Sequence, residues 1–219
     1  MCRLFGFYEQ KLTGKTMKKN FALLAAALIT GLWAAPASAM EQYVSGNVGM
    51  SWVNDIKDGA ARYSLDDGTT VLGAIGIRCP QKDCRLEAEI GYQTTGMNTV
   101  TSRFGPSEYR GDVHVWSLLA NGYYNIYDGK GFKPYITAGL GAARVKFDNL
   151  RFAGYSNGYS EHETAFAYQV GAGVAVPISP GVKIDARYRY FSTADFRMDD
   201  GYDTHFASNS LLLGLRVSL

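Results

Sequence analysis

The sequence predicts an all-β fold, an eight-stranded up-and-down antiparallel transmembrane β-barrel preceded by a cleaved signal peptide. Three observations predict it. Eight segments alternate apolar and polar residues with the period of two that belongs to a β-strand. The connections between them are alternately long and short, as in an antiparallel meander. Bulky apolar residues share one face of each strand, whereas glycine and polar residues share the other, which is typical of a barrel with lipid outside.

The N-terminal segment has the three parts of a secretory signal peptide. Lys18 and Lys19 form a basic start, an apolar run follows, and a small-x-small pattern ends at Ala39. The apolar run is shorter than the roughly 20 residues that a membrane-spanning helix needs. We therefore expect translation to start at Met17 and cleavage to follow Ala39.

This division makes residues 1–39 an N-terminal extension with the signal peptide and residues 40–219 the barrel domain. The whole chain has 22 basic and 20 acidic side chains. Residues 1–39 contain five of the basic side chains and one of the acidic ones, so 17 against 19 remain and the net charge falls from +2 to about −2. Because the basic excess belongs to the extension, a nucleic-acid partner is not expected.

Eight segments carry the alternation, and each has its apolar side chains on one face. In chain order they are 42–53, 69–78, 85–95, 113–127, 133–147, 164–178, 182–191 and 210–219. Their apolar faces hold, in the same order, Val44, Val48, Met50 and Trp52; Val71, Ile75 and Ile77; Leu86, Ala88, Ile90 and Tyr92; Trp116, Leu118, Ala120, Tyr124 and Ile126; Ile136, Ala138, Leu140 and Ala142; Phe166, Tyr168, Val170, Ala172, Val174 and Val176; Val182, Ile184, Ala186, Tyr188 and Tyr190; and Leu211, Leu213, Leu215, Val217 and Leu219. Long polar connections are predicted at 54–68, 96–112, 148–163 and 193–208, and short ones at 79–84, 128–131 and 179–181.

The glycines indicate which face points inward. Gly139, Gly141, Gly171 and Gly173 lie on the polar face, where small residues let strands crowd a narrow interior. Eight strands close into a barrel whose inside is only wide enough for side chains. A water-soluble sheet would turn its apolar face inward, so the pattern predicts the reverse arrangement of a transmembrane barrel.

Aromatic residues on the apolar face are expected to form girdles at the membrane interfaces, because their rings combine an apolar body with a polar edge. The predicted girdle near the long connections consists of Trp52, Tyr92, Trp116, Phe166, Tyr168, Tyr188 and Tyr190, and Tyr124 lies near the opposite end.

The stretch "RLEAEIGY" has two carboxylates, Glu87 and Glu89, on one strand face. Their spacing of about 6.6 Å falls within the roughly 6.5 to 9.5 Å of an inverting glycosidase. In the barrel they point into a filled lumen, which denies a substrate access, and buried charges there need cationic partners. The predicted lumen network comprises Arg85, Glu87, Glu89, Gln169, Asp185, Arg187, Arg189 and Arg216, with Glu87 and Glu89 engaging Arg187, Arg189 or Arg216.

Two cysteines, Cys79 and Cys84, flank a short turn-like segment. In the oxidising compartment that export implies, they are expected to form a local disulfide, worth about 2 kcal/mol in the chain-entropy model. A redox or metal site would need C-x-x-C spacing or a nearby histidine. His114, His162 and His205 are expected to be solvated residues at strand ends or in long connections. No catalytic residue, metal or cofactor is predicted.

Five motifs are similar, in the same order, to the strands of a known family. "RLEAEIGY", "VWSLLANGYYNIY", "KPYITAGLGAA", "AFAYQVGAGVAVPIS" and "IDARYRYF" resemble the outer-membrane β-barrel domain family of small opacity-type surface proteins, which is similar to the N-terminal barrel of OmpA-type proteins. The resemblance covers nearly all of residues 41–219. The family's last strand usually ends in an aromatic residue, and this chain has Leu219 instead.

The resemblance implies a monomeric, non-enzymatic outer-membrane protein with a structural or surface-interaction role through four long extracellular loops. The implied partners are outer-membrane lipid and lipopolysaccharide, the barrel-assembly machinery during insertion, and a host or surface ligand at the loops. No nucleic acid or cofactor is implied.

Two alternatives stay open from the residues alone. One is a soluble periplasmic lipocalin-like barrel around a small apolar ligand, and the other is a narrow ion-conducting porin-like barrel. In the soluble alternative, the apolar face with Leu140, Val170, Val174, Ile184 and Leu215 would line a cavity. A lipid-acting enzyme would need a lipid-facing nucleophile, base and acid, and the pattern puts His114 and Ser117 on opposite faces.

Overall fold

The computed structural model describes residues 41–54, 56–58, 61–79, 83–102, 105–127, 131–152, 159–197 and 203–219. The translation start and signal peptide predicted for residues 1–39 lie outside these ranges. The described residues form the strands β1 (Gln42–Val53), β2 (Ile56–Asp58), β3 (Ala61–Leu65), β4 (Gly68–Arg78), β5 (Cys84–Ser102), β6 (Gly105–Asn125), β7 (Lys133–Phe152), β8 (Tyr159–Ser179), β9 (Val182–Thr193), β10 (Phe196–Arg197), β11 (Asp203–Thr204) and β12 (Ala207–Ser218). None of them contributes a helix long and apolar enough to cross a membrane.

Eight long strands close into an antiparallel barrel in the order β5-β4-β1-β12-β9-β8-β7-β6, with β6 pairing back onto β5. The first and last strands meet along their whole length, from Tyr43 opposite Ser218 to Val53 opposite Ser208. Because no edge of these strands is left open, the backbone hydrogen bonds are satisfied within the sheet. The predicted eight-stranded all-β barrel is confirmed.

The barrel has two different ends. At the short-turn end the chain connects β4 to β5, β6 to β7 and β8 to β9, the last through Pro180 and Gly181, whose φ of 78° favours glycine. At the long-hairpin end β5 joins β6, β7 joins β8, and the short strands β2, β3, β10 and β11 lie between the remaining barrel strands.

Two of the predicted long connections are mostly strand. β5 continues to Ser102 and β6 starts at Gly105. In the same way, β7 continues to Phe152 and β8 starts at Tyr159. The pairing register shifts between Met97 and Thr99 and at two further positions, Arg110/Asp112 and Phe147/Leu150. The extra residue lies in β6 at the first shift and in β7 at the other two, and it inverts the phase of the alternation in these strands. The period-two pattern therefore hides the outer parts of β6 and β7.

The sequence pattern predicted a lumen that is polar throughout, and this prediction is wrong for part of the lumen. Towards the long-hairpin end, the inward residues of β6 change from Asn121 and Tyr123 to Val113 and Val115. The two valines belong to a cluster of buried apolar side chains, which we call the apolar plug. Its members are Val113, Val115, Leu119, Ala143, Val145, Phe147, Ala165, Ala167, Phe191 and Phe206. The half of the lumen near the short-turn end holds the buried charges, and the other half combines this apolar packing with buried hydroxyl and amide side chains such as Ser51, Gln93 and Ser208.

Two glycines differ in the space that a side chain would find at their positions. A Cβ at Gly141 would lie 2.0 Å from the carbonyl oxygen of Leu118, whereas a Cβ at Gly46 would meet nothing within 4 Å. We expect Gly141→Ala to lower the free energy of unfolding by about 1–3 kcal/mol through overpacking. Gly46→Ala should change it by less than about 0.5 kcal/mol. Urea titration of the folded barrel in detergent micelles measures both, and equal values would contradict the close approach at Gly141.

Candidate functional site

The lumen charges lie in the barrel half next to the short-turn end. β5, β8, β9 and β12 supply them from positions that alternate with outward-facing apolar residues. All eight residues of the predicted network are buried, and the most exposed of them, Arg216, has 6% of its surface accessible. The structure therefore brings together Arg85, Glu87, Glu89, Gln169, Asp185, Arg187, Arg189 and Arg216.

Glu89 is the centre of one group. Its Oε2 accepts a hydrogen bond from Arg187 Nη2 at 3.1 Å, and its Oε1 lies 3.8 Å from Arg189 Nη2. Gln169 donates to Glu89 Oε1 at 3.4 Å and to Asn121 Oδ1 at 2.6 Å, and its own carbonyl accepts from Arg189 Nε. One carboxylate thus compensates two buried guanidinium groups, as a low-dielectric interior requires.

Glu87 does not contact the partners that the sequence analysis predicted for it. It lies 3.6 Å from Nε of Arg85, two residues earlier on the same strand face, and accepts a hydrogen bond from the Tyr43 hydroxyl at 2.7 Å. The cation Arg216 instead donates to Asp185, which also accepts from Tyr135. Because Arg85 lies two residues away on the same strand face, it is nearer to Glu87 than the cations on the opposite wall of the lumen are.

Three tyrosines that the sequence analysis left out complete this layer. Tyr43 and Tyr135 bind carboxylates, and Tyr123 accepts from Arg187 Nη1 at 2.5 Å. The Arg85 guanidinium stacks over the rings of Tyr123 and Tyr135, at 3.9 and 4.4 Å from their centroids. These stacks combine charge and ring contact in a buried position.

Two of these tyrosines could have been predicted, because each lies opposite a glycine on the neighbouring strand. Tyr43 lies directly opposite Gly76 and Tyr135 directly opposite Gly173. A Cβ on either glycine would come within 2.5 Å of the facing tyrosine side chain. The glycines therefore make room for the rings, the pairing known as aromatic rescue of glycine.

Above the charge layer, buried polar side chains line one wall of the lumen. Hydroxyl groups form short chains on one wall, where Ser210 donates to Ser51 at 3.1 Å and Ser208 donates to Gln93 at 3.1 Å. The crevice between Gln93, Arg189 and Phe191 has no volume for a water-sized sphere. The apolar plug lies on the other wall of the same part of the barrel.

The exposure of the apolar side chains distinguishes a transmembrane barrel from a soluble lipocalin-like barrel. Leu140 is 59% exposed and Leu215 is 51% exposed, and Val170 and Ile184 are exposed as well, whereas Val174 is half-buried. These side chains point away from the lumen, which is the opposite of a lipocalin-like cavity. The same face would expose a large apolar area to water, so it requires lipid around it.

The predicted girdle residues lie on this outward face. Trp52, Trp116, Tyr124, Phe166, Tyr168 and Tyr188 are exposed. Tyr92 and Tyr190 are half-buried because they pack on neighbouring rings, with centroids 4.7 Å from Trp116 and 6.5 Å from Tyr168 respectively. Tyr127 and Phe132, which the sequence analysis did not select, are exposed at the short-turn end.

The two cysteines of the barrel form a disulfide, and His114 forms a side-chain hydrogen bond. Cys79 and Cys84 are bonded across the short turn between β4 and β5, with Cα atoms 5.3 Å apart. His114, expected at a strand end, lies well inside β6, and its Nδ1 is hydrogen-bonded to the Tyr92 hydroxyl at 2.9 Å. Among the residues that the structure describes, no group of three or more His, Cys, Asp or Glu could hold a metal ion.

Comparisons with known proteins agree with this architecture. The family model described as outer membrane protein beta-barrel domain matches residues 22–215. The outer membrane protein PagN of Salmonella typhimurium is 27% identical, over 91% of this chain and 98% of its own length. A Rickettsia bellii protein named as a candidate adhesin is 26% identical, over 80% of this chain and 83% of its own length.

The crystal structure of Neisserial surface protein A matches the barrel with a TM-score of 0.56. The two chains are 22% identical, and the match covers 81% of this chain and 97% of that one. At this identity the likeness concerns the fold alone.

Proposed function

The chain belongs to the outer membrane protein beta-barrel domain family, and from this premise we propose that it is a closed, non-enzymatic barrel that presents its long hairpins to surfaces outside the cell. It is a protein of the outer membrane, and surface and adhesin-like proteins are among its relatives. The observation that carries the proposal is the combination of a filled lumen with strands that continue past the aromatic girdle.

The orientation follows from the two ends of the barrel. Outer-membrane barrels have short periplasmic turns and longer extracellular loops. β1 starts at the short-turn end, where an exported N-terminus would remain in the periplasm. The hairpins β5–β6 and β7–β8 then extend outward, beyond the girdle residues Trp116 and Phe166.

The filled lumen supports a scaffold role over ion conduction. The Glu89 group fills part of the lumen at mid-height, and the apolar plug fills part of it towards the long-hairpin end. A barrel of eight strands with interlocked side chains conducts poorly. In this role the charge pairs specify one packing of the lumen, and catalysis by Glu87 and Glu89 has no substrate access.

Surface interaction is the function that the long hairpins support best. Paired strands hold their exposed tips at a defined distance from the membrane, and binding residues on loops held by a rigid scaffold are a common arrangement. The Rickettsia bellii relative named as a candidate adhesin supports the same class of function.

Removing the end of one hairpin tests this function. Deleting residues 99–108 cuts the β5–β6 hairpin back to the bulge at Met97 and leaves a short turn. Intact cells of a non-adherent bacterial host that produce the full chain should bind cultured host cells at least tenfold more than cells that produce the shortened chain. Equal binding by both, or binding no better than that of cells without the protein, would contradict the proposal.

An epitope tag provides the control for orientation. Inserted between Ser102 and Gly105 in the otherwise unchanged chain, it should be labelled by antibody on intact cells. Inserted between Tyr127 and Gly131, it should be labelled only after the outer membrane is permeabilised. Heat-modifiable migration on gels verifies that each variant, including the shortened one, is folded.

A further inference from the structure

Four basic side chains line the mouth of the lumen at the short-turn end. We call them the cationic mouth, and they are Arg78 on β4, Lys133 on β7, Lys183 on β9 and Arg216 on β12. Arg216 is buried, and the other three are half-buried. Each lies an even number of residues from a buried lumen residue of its own strand, so the period of two directs it to the lumen and not to lipid.

Two cross-strand pairs at this end join like charges. Lys183 lies directly opposite Arg216, and Arg78 lies directly opposite Arg85. Like charges directly opposite each other destabilise a sheet. Residues 40–219 contain 17 basic and 19 acidic side chains, so a general excess of basic residues does not account for the arrangement. The barrel concentrates positive charge at one end, and such a field attracts anions.

Each arginine in these pairs already has one acidic partner. The ion pairs are Arg78 with Glu41 at 3.0 Å, Arg85 with Glu87 at 3.6 Å, and Arg216 with Asp185. Even so, Nε of Arg216 and Nη2 of Arg85 are buried without a hydrogen-bond partner among the described residues. Because a buried donor without an acceptor is costly, this layer needs more acceptors than its three carboxylates provide.

Lys183 differs from the arginines because it forms no ion pair with an acidic side chain in the part of the chain that the structure describes. Arg78, Arg216 and Lys133 repel its ammonium group. The Glu41 carboxylate attracts it, but that carboxylate already binds Arg78. Since Lys183 is only half-buried, an anion from the surrounding water can reach it.

We propose that the cationic mouth binds a soluble anion that carries a phosphate group, with Lys183 as its main contact. Lysine binds phosphate as a point charge and arginine as a fork of donors. The four side chains approach from four strands, and a tetrahedral phosphate presents oxygens in several directions. A phosphate monoester carries about 1.5 to 2 negative charges at pH 7, so it compensates Lys183 and offsets the repulsion among its neighbours.

The site goes beyond the surface function of the long hairpins. That its ligand comes from the periplasm rests on the orientation given under the proposed function, in which the short-turn end faces that compartment. The binding itself does not depend on orientation and is measured on the isolated barrel.

Equilibrium dialysis with radiolabelled inorganic phosphate tests the proposal. The folded barrel is kept at about pH 7 in about 0.1 M NaCl, in micelles of a detergent without phosphate groups. Lys183→Gln should weaken phosphate binding at least about tenfold, since one charge-assisted hydrogen bond is lost. Lys183→Arg keeps the charge and should stay within about threefold of the unchanged chain.

Lys146→Gln is the matched control. It also removes one lysine charge, but Lys146 pairs with Asp148 on the long-hairpin side of the barrel. It should change the affinity by less than about twofold, because charges farther away than about 10 Å are screened at 0.1 M salt. Heat-modifiable migration verifies that each variant is folded.

The stability of the barrel gives a second readout. Without phosphate, Lys183→Gln should resist urea at least as well as the unchanged chain, because it removes a charge that its neighbours repel. Saturating phosphate should raise the urea midpoint of the unchanged chain, since the ligand binds the folded state, and should raise that of Lys183→Gln much less. A lysine that only supported the fold would lower the midpoint when replaced, with or without phosphate, and this result would contradict the site.

The inference is also wrong if Lys183→Gln binds phosphate as tightly as the unchanged chain, or if Lys146→Gln loses as much affinity as Lys183→Gln. Displacement of the bound phosphate by phosphatidylglycerol added to the micelles would overturn it as well, because the site would then take a lipid headgroup. None of these measurements involves host cells, so the surface function and the anion site fail separately.

Discussion

Glu89→Gln is expected to lower the free energy of unfolding of the barrel by about 3 kcal/mol. The substitution keeps the shape of the side chain and removes the charge that compensates Arg187 and Arg189. Breaking a buried pair by neutralising one partner leaves the other charge uncompensated in a medium of low dielectric, which costs about 3–5 kcal/mol. Gln can still accept one hydrogen bond, so the lower end of that range is expected. Urea titration in detergent micelles, followed by tryptophan fluorescence and heat-modifiable migration, measures it.

Glu41→Gln is the matched control for this substitution. Glu41 pairs with Arg78 at 3.0 Å at the short-turn end, with 44% and 27% of the two side chains exposed. Water already screens this pair, so its loss should cost less than about 1 kcal/mol. If Glu89→Gln costs no more than Glu41→Gln, the buried network does not stabilise the lumen and the scaffold role loses its basis.

Phe206→Ala should cost about 3–4 kcal/mol, as expected for removing a fully buried aromatic side chain. Phe206 precedes β12 in the last long connection, yet none of its surface is accessible. Its ring packs edge-on against Phe191 at 6.3 Å, and its backbone nitrogen donates to the Thr193 hydroxyl at 3.0 Å. Truncation leaves a cavity in the plug and releases the connection between β9 and β12, so limited proteolysis should also cut this connection faster.

Phe132→Ala provides the comparison, because Phe132 is 59% exposed at the short-turn end and packs in neither lumen layer. Its removal should change the free energy of unfolding by less than about 1 kcal/mol. In planar bilayers Phe206→Ala should remain non-conducting, since the Glu89 group still closes the lumen at mid-height. Stable channels in Phe206→Ala would show that the plug alone blocks the barrel.

The local pattern of the sequence was sufficient for the fold and for the direction of most side chains. In "RLEAEIGY" the alternation placed Glu87 and Glu89 in the lumen and Leu86 and Ile90 outside, as the structure has them. It succeeds because successive strand residues point to opposite faces whatever the neighbouring strand is. The outer parts of β6 and β7 escaped prediction because the register shifts add a residue to each of these strands and reverse the phase.

The sequence by itself thus determined the number of barrel strands, their antiparallel order and the face that meets lipid. The number follows from eight segments with a period of two, the order from the alternation of long and short connections, and the lipid face from the bulky apolar residues on one side of each strand. Only the tertiary structure decided that Glu87 accepts a hydrogen bond from Tyr43 while Glu89 pairs with Arg187 and Arg189, and that Phe206 packs into the lumen from a long connection. Partner choice depends on register and on the stagger of the closed barrel. These properties bring together side chains about 100 residues apart, and no periodicity within a single strand carries that information.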